Sequence, residues 1–515
     1  MTGAESLVRT AIEAGVRVCF ANPGTTEIGL VKALDSVPGM RAVLGLFEGV
    51  CSGAADGYAR MTDTPALALF HLGPGFANAI ANLHNARRAR SPIVNVVGDH
   101  ASWHLGADAP LTSDIESLAR PVSRWVRRAA SAERLAKDTA EAIASARSAP
   151  GGVATLIVPS DCQTDDASGL ARPTAAEPPG RVSRDRIQEV AGVLRERRPA
   201  ALYLGGPALR ERGLRAAARI AAKIQCRIIV ECFPARLERG ADLPRVERLP
   251  YFPEHVAASL NGLEQLVLAG AGEPVAFFGY PGSPSRLTPA GSSIANLASP
   301  EEDVPAALES LADAVEAPTA APGHASDAKK PAMPDGPLTV DAIGAVLALL
   351  QPEGAIVVDE SGTSGMRYFQ PSAASPRHTL LTLTGGAIGF GPPCATGAAI
   401  ACPDRTVIDF QGDGAAAYTL QALWTQAREQ LHVVTLICSN RSYAILRIEM
   451  ARAGVTHPGS QVASLFDLSR PAIDWVELAR AMGVPGTRAD SAASLIHALG
   501  RALAEPGPHL IEMML

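Results

Sequence analysis

Aromatic side chains are scarce in this sequence, at 4% of 515 residues, so its cores have to be built from aliphatic and small side chains. No apolar run is long enough to span a bilayer, which argues against a membrane partner. Basic charge is not in excess. The 46 Lys and Arg stand against 52 Asp and Glu, a formal net charge of −6, and nothing suggests a nucleic-acid partner. The eight cysteines are scattered singly with no Cys-x-x-Cys pair, and most sit in apolar runs, as Cys19 and Cys438 do. They read as reduced core residues of a cytoplasmic protein, and no structural zinc site is expected. The N-terminal stretch MTGAESLVRTAIEAG spreads its charges through an amphipathic helix pattern and does not read as a signal peptide. What remains is a soluble globular chain, 47% apolar, long enough for two to four domains.

Along the chain, apolar strands alternate with Ala-rich helices, a pattern that argues for α/β domains with doubly wound parallel sheets. The first domain is expected over residues 1–165, with strands VRVCFANPG, AVLGLFEG, PALALFHLGPG, SPIVNVVGDH and GGVATLIVPSD. A polar connector at 163–182 leads to a second domain at 183–315, whose strands read AALYLGG, CRIIVEC and EPVAFFGY. Residues 316–337 are rich in Pro and Ala and read as an exposed linker. A third domain, 338–515, alternates strand and helix again through AIVVDES, TVIDFQGDG, HVVTLICSN and HLIEMML.

The most informative stretch runs from Asp409 to Tyr443. An apolar run ends at Phe410 and a turn follows, Gln411-Gly412-Asp413-Gly414. Helix formers run from Ala415 to Gln430, then a β-branched run from His432 to Cys438 and a polar turn, Ser439-Asn440-Arg441-Ser442. This is a βαβ unit with both strands buried, and it puts Asp413 and Asn440 at the carboxyl ends of two parallel strands. A carboxylate and an amide oxygen suit a magnesium ion that takes its other ligands from waters and phosphate oxygens. Gly412 and Gly414 let a diphosphate approach the backbone, and the helix that follows adds positive dipole.

At this point the chain resembles the thiamine diphosphate-dependent decarboxylase and acetolactate synthase family, including benzoylformate decarboxylase. The resemblance covers nearly the whole chain and is weakest in the middle. It implies pyrimidine-binding, central and diphosphate-binding domains in that order. It also implies thiamine diphosphate and Mg2+ as cofactors, with the metal held by Asp413, Asn440 and the Ser442 carbonyl. Ser439 departs from the family's usual paired Asn. The implied cofactor surroundings include Gly412, Gly414, Ala415, Tyr443, Ala444 and Ile445, with Glu360, Ser361, Gly362 and Thr363 just upstream. In Thr384-Gly385-Gly386-Ala387-Ile388-Gly389, the Gly386 backbone would meet the aminopyrimidine, and Ile388 would wedge under the bent cofactor.

Glu48 ends the run AVLGLF and opens GVCSGAADGYAR. One reading is an exposed helix-N-terminal Glu favoured by the dipole; the other is a buried carboxyl with a raised pKa. In the family such a Glu precedes the motif matched here by Gly53 to Ala59, and exchanges a proton with the aminopyrimidine. The resemblance also implies that each cofactor spans two chains, hence a homodimer or homotetramer with active sites at the subunit interface. Gly53, Ala54, Ala55 and Gly57 fit close packing on a partner, and equally a monomer core.

His71 stands where aryl 2-oxo acid decarboxylases of the family carry an active-site histidine. His100 replaces a frequent Gln, and His104 is a further candidate. Asn22-Pro23-Gly24-Thr25-Thr26-Glu27 matches the first active-site loop, Thr25 standing where a Ser holds the substrate carboxylate, and Asn78 matches a cofactor-side Asn. The catalytic set is thus Glu48, His71, His100 and Thr25. Departures concern the substrate: no second histidine occurs in Phe277 to Pro281, and Thr382 and Glu449 stand where the decarboxylases place two Phe. They point to a smaller or more polar acyl group. No feature of the middle domain calls for FAD, and none is expected. The implied reaction is decarboxylation of a small-molecule 2-oxo acid to an aldehyde or acyloin, with acetolactate synthase-type carboligation as the alternative. A carbon–carbon lyase and a cofactor-retaining protein without turnover remain further alternatives. A plain nucleotide-binding α/β protein would need a G-x-G-x-x-G or G-K-[ST] stretch that the chain lacks.

Overall fold

The computed structural model describes residues 1–320 and 330–515, so part of the expected linker lies outside the described residues. Met1–Glu177, Pro331–Pro371 and Leu383–Leu515 form one compact unit, and Pro178–Lys330 with Ser372–Thr382 form a second.

The N-terminal sheet of the first unit has six strands: β1 (Val18–Asn22), β2 (Arg41–Leu44), β3 (Ala66–Phe70), β4 (Ile93–Asp99), β5 (Trp125–Arg128) and β6 (Val153–Pro159). Their order is β2-β1-β3-β4-β6-β5, all pairs parallel. Every residue of β3, β4 and β6 is buried, which is why these strands read as unbroken apolar runs rather than alternating ones. The strand order reverses between β1 and β3, so their carboxyl ends open the crevice where sheets of this kind bind ligands. Two helices leave that edge, α1 (Glu48–Thr62) after β2 and α2 (Leu72–Ala89) after β3.

The second unit carries β7 (Ala200–Leu204), β8 (Arg227–Val230), β9 (Leu237–Arg239), β10 (Glu247–Arg248), β11 (Gln265–Ala269) and β12 (Ser293–Ala298). Five of them form a parallel sheet in the order β10-β8-β7-β11-β12. The run EPVAFFGY, expected as a strand, is not one; the strand is QLVLA just before it, buried throughout. The apolar character of EPVAFFGY serves a surface cluster instead. Phe277 stacks on Tyr251 at 4.9 Å and meets Phe233 edge-on at 5.3 Å, while Phe278 is 58% exposed.

In the C-terminal part, β13 (Ile356–Glu360), β15 (Val407–Gly412), β16 (Val433–Ser439), β17 (Gly486–Ala489) and β18 (His509–Met514) pair in parallel, in the order β17-β18-β16-β15-β13. A further strand, β14 (His378–Thr382), groups with the second unit and pairs antiparallel with β9. Two helices here matter below, α3 (Gly391–Ala401) and α4 (Ala444–Arg452). The helix expected from Ala415 to Gln430 is split into Asp413–Ala416 and Ala422–Arg428. The Thr419 hydroxyl, in the intervening turn, donates to the Gly389 carbonyl at 3.0 Å, a long-range bond that ties the turn to the glycine-rich loop.

Within the first unit, α1 packs on α3 with small residues at every close approach. A Cβ at Gly57 would overlap the Cys394 carbonyl, one at Gly397 would overlap the Ala54 carbonyl, and one at Gly53 would sit 2.7 Å from the Pro393 ring. The small-residue face of GAADGYA is therefore satisfied inside one chain. The pair Asp56 and Arg60, one turn apart on α1, is fully buried, with two charge-assisted bonds of 2.7 and 2.8 Å.

Gly57→Ala is expected to destabilise the chain by about 2–4 kcal/mol in urea unfolding, because the added methyl meets backbone that cannot yield. Gly500→Ala, on a helix with nothing within 4 Å of the new methyl, should instead be neutral or stabilising by up to about 1 kcal/mol. Equal effects at the two positions would disprove the close-contact account.

Candidate active site

The sequence-predicted residues fall into two groups, one at the carboxyl edge of the N-terminal sheet and one at that of the C-terminal sheet. In the first group, Asn22 ends β1 and donates to the Gly45 carbonyl at 2.8 Å, fixing the following loop against the β2 exit. His71 follows β3, and its Nδ1 lies 2.7 Å from Oε2 of Glu27. Glu27 is completely buried, and its carboxylate also accepts from the Gly24 N–H at 2.7 Å and the Thr26 hydroxyl at 2.6 Å. A carboxylate only accepts, so Nδ1 donates to Glu27, and Nε2 has no hydrogen-bond partner among the described residues.

Two backbone features aim this histidine. Gly24 leaves room for the imidazole, since a Cβ there would overlap the ring. Leu72 has φ 52°, a left-handed conformation costly for a branched side chain, and is kept there by complete burial. Glu48 opens α1 and is half-buried, between the exposed and the buried readings of the sequence. Its Oε2 accepts from the exposed Asn78 at 3.0 Å, and Gly75 leaves space for Oε1, where a Cβ would be 2.8 Å away.

Thr25 is exposed, and the hydroxyl near His71 belongs to Thr26, 3.3 Å from Nδ1. Glu27 closes the matched loop Asn22–Glu27, but the sequence reading gave it no role. Its signal was an acid flanked by the loop Asn22 to Thr26 and the apolar run Ile28 to Val31. His100 follows β4, next to buried Asp99, which pairs with Arg128. His100 Nε2 is buried with no hydrogen-bond partner among the described residues. The His100 ring meets His104 edge-on at 5.5 Å, and Trp103 beside it is 80% exposed.

In the second group, Asp413 follows β15 and Asn440 follows β16. The Asp413 carboxylate accepts from the N–H of Gly414 at 2.8 Å and of Arg441 at 2.6 Å. Burial pushes this carboxyl up from its ordinary range while those N–H groups pull it back, and no cationic side chain pairs with it among the described residues. Asn440 Oδ1 accepts from the Ser442 N–H at 2.9 Å. A buried acid short of a counter-charge, an amide oxygen and a turn carbonyl form an all-oxygen donor set, which fits a hard divalent cation. Tyr443 packs on Gly414, where a Cβ would lie 2.5 Å from its ring. Ala444 and Ile445 begin α4, none of whose residues is buried.

Between the groups lies the loop Thr384–Gly391. Gly386 is exposed at φ 76°, and a side chain there would meet nothing within 4 Å, so the loop presents open backbone beside Ile388. Glu360, at the end of β13, accepts from the N–H of Gly389 (2.9 Å), Phe390 (3.2 Å) and Gly391 (2.7 Å). Burial pushes the Glu360 carboxyl up to about 7 against the pull of those three donors. Ser361 turns back on Asp359, its N–H donating at 3.1 Å, and Gly362 takes φ 58° before Thr363.

The two pocket positions read from resemblance are differently placed. Thr382 is completely buried in the second unit, its hydroxyl donated to the Pro234 carbonyl at 2.8 Å. Glu449 is half-buried on α4, 3.7 Å from Arg452.

Comparison with known proteins matches this layout. Residues 1–118 fit the family model for the thiamine pyrophosphate enzyme N-terminal TPP binding domain, and residues 360–513 the corresponding C-terminal TPP binding domain. A Mycobacterium tuberculosis chain, provisionally named acetolactate synthase large subunit IlvX, is 51% identical over 100% of this chain and 99% of its own length. Benzoylformate decarboxylase of Pseudomonas aeruginosa is 28% identical over 97% of this chain and 96% of its own. Among solved structures, the thiamine diphosphate-dependent 4-hydroxybenzoylformate decarboxylase of Rhodococcus jostii RHA1 superposes with a TM-score of 0.87 at 27% identity, covering 99% and 98% of the two chains.

Glu360 yields a pH-dependence whose sign is fixed. The folded chain holds its proton up to about pH 7 and the unfolded chain only to about 4.5. Its contribution is therefore fully present below pH 4.5 and lost as pH rises towards 7, about 3 kcal/mol in all. Urea unfolding between pH 4.5 and 8 should show a shallower slope in Glu360→Gln than in the wild type, the remainder coming from Asp409 and Asp413, whose carboxyls burial also pushes up.

Proposed function

Because the chain belongs to the thiamine pyrophosphate enzyme family, we propose that it is a thiamine diphosphate- and magnesium-dependent enzyme that decarboxylates a small-molecule 2-oxo acid, releasing an aldehyde or passing the acyl unit on as an acyloin. The observation that carries this reading is the His71–Glu27 pair, a histidine with one committed nitrogen at the reversal point of the N-terminal sheet.

When bound, thiamine diphosphate supplies the nucleophilic carbon and the electron sink for loss of CO2. Asp413 and Asn440 through their side chains, and Ser442 through its carbonyl, would hold magnesium, and the backbone at Gly412, Gly414 and Ala415 would receive phosphate oxygens. Glu48 has Oε2 committed to Asn78, which leaves Oε1 to give and take a proton. His71 would move a proton at Nε2, with Glu27 fixing its tautomer and steadying the charged ring. His100, with its buried Nε2 unengaged among the described residues, is a second proton-handling candidate.

Assembly as a homodimer or homotetramer is part of the proposal. It is supported by apolar surface on the C-terminal part, where Leu446 (40%), Ile448 (37%) and Leu465 (71%) are exposed and α4 buries none of its residues. A cytoplasmic location is proposed from the eight cysteines, none of which is in a disulfide. No described helix is long and apolar enough to cross a membrane. The second reading, acetolactate synthase-type carboligation, is favoured by the name of the 51% identical relative.

A panel of 2-oxo acids from glyoxylate and pyruvate to benzoylformate, with CO2 release followed with and without an acceptor aldehyde, separates these readings. Aldehyde formed without acceptor is the expected result, turnover only with acceptor would establish the carboligase, and no CO2 from any member would refute both. Glu48→Gln should lower kcat about 10²-fold or more on whichever substrate is turned over. Asp413→Ala should raise the magnesium concentration needed for half-maximal activity at least tenfold, or remove activity at every magnesium concentration.

A further inference from the structure

The loop Thr384–Gly391 has one polar side chain, yet its backbone is held at Gly385, Ala387 and Gly389 by side chains from the N-terminal part, while Glu360 holds the N–H groups of 389–391. The row responsible lies on α2, where Asn78, Asn82 and Asn85 recur at helical spacing. Asn85 is completely buried, and its amide pairs with both backbone groups of Ala387. Its Nδ2 donates to the Ala387 carbonyl at 2.8 Å, and its Oδ1 accepts the Ala387 N–H at 3.2 Å. Asn82, 3% exposed, donates to the Gly389 carbonyl at 3.1 Å and to the Gly49 carbonyl on α1 at 2.9 Å. Asn85 also donates to Asn82 Oδ1 at 3.0 Å, so the two amides act as a connected pair. Ile388 is thus flanked on both sides by residues whose backbone is fixed from α2. Neither asparagine reaches the open side of Gly386, so neither is placed to touch a bound molecule.

We propose that Asn82 and Asn85 are positioning residues. They set the Ile388 loop in its cofactor-receiving shape before any cofactor arrives, and so lower the ordering cost of binding. This rests on the functional reading above only in naming thiamine diphosphate as the group received. Side-chain amides suit the task because each offers a donor and an acceptor in one plane, matching a peptide group. Preorganisation of this kind raises affinity without adding a contact to the ligand.

The test compares wild type, Asn85→Ala and Asn82→Ala without cofactor by hydrogen–deuterium exchange, then measures thiamine diphosphate affinity by calorimetry with magnesium present. The expected result is at least tenfold faster exchange confined to 385–391, with β15 and β16 protected as in wild type, and a Kd for thiamine diphosphate raised about tenfold. Should Asn85→Ala fail to fold, Asn82→Ala decides alone, since it removes one loop bond and leaves the Ala387 pair intact. Unchanged protection at 385–391, or faster exchange spread evenly over β15 and β16, overturns the proposal. A wild type that binds no thiamine diphosphate would overturn the functional reading, while the exchange comparison would still decide this one.

Discussion

Backbone groups taken out of water must find partners, and in this protein that requirement is sharpest at a glycine-rich loop whose one polar side chain is Thr384. Thr384–Gly391 answers it by borrowing. Glu360 receives three successive N–H groups, Asn85 closes on Ala387, Asn82 and Thr419 both donate to the Gly389 carbonyl, and Arg60 reaches the Thr384 hydroxyl at 3.2 Å. Several otherwise odd features follow from this. A carboxyl is buried at the end of β13, a helix breaks at Thr419, and Arg60 is locked between Asp56 and the Phe390 ring, 4.6 Å from its centroid. Each would be costly in isolation and is intelligible as support for one stretch of main chain.

The same logic explains why the chemistry-bearing side chains lie where parallel strands end. The strands supply rigid exits, and the loops beyond them carry the polar groups that a buried strand cannot hold. Glu27 illustrates the benefit. Its burial is tolerable because all its bonds come from the same small loop and from His71, and the cost of hiding a carboxylate is offset by fixing an imidazole.

Much of this was legible in the sequence, for identifiable reasons. Buried parallel strands read as continuous apolar runs, so the three sheets, the turn at Asp413 and the turn at Asn440 could be found without coordinates. What could not be read was anything set by long-range pairing. EPVAFFGY has strand composition but covers surface, whereas QLVLA before it enters the sheet. The antiparallel pairing of β14 with β9 joins segments about 140 residues apart and leaves no periodic trace. At the site, Gly-Asp-Gly and the Glu48 motif were recognisable. The role of Glu27 was not, because a buried acid in a loop shows its purpose only once the histidine that answers it is placed. For the same reason Thr25 and Thr26 could not be told apart, being adjacent hydroxyls in a turn whose direction the sequence leaves open.

The contact between α1 and α3 is made of main chain on main chain, at Gly57 against Cys394 and at Gly397 against Ala54. At those two points no side chain separates the helices, so the contact there has no adjustable thickness. It cannot widen to receive a bulkier residue or shrink around a smaller one, so volume changes there have no neighbouring change that could absorb them. Diversity of substrate in a chain built this way has to be written elsewhere, in the loops at the strand ends, while the distance between the two cofactor-facing sheets stays a constant of the scaffold.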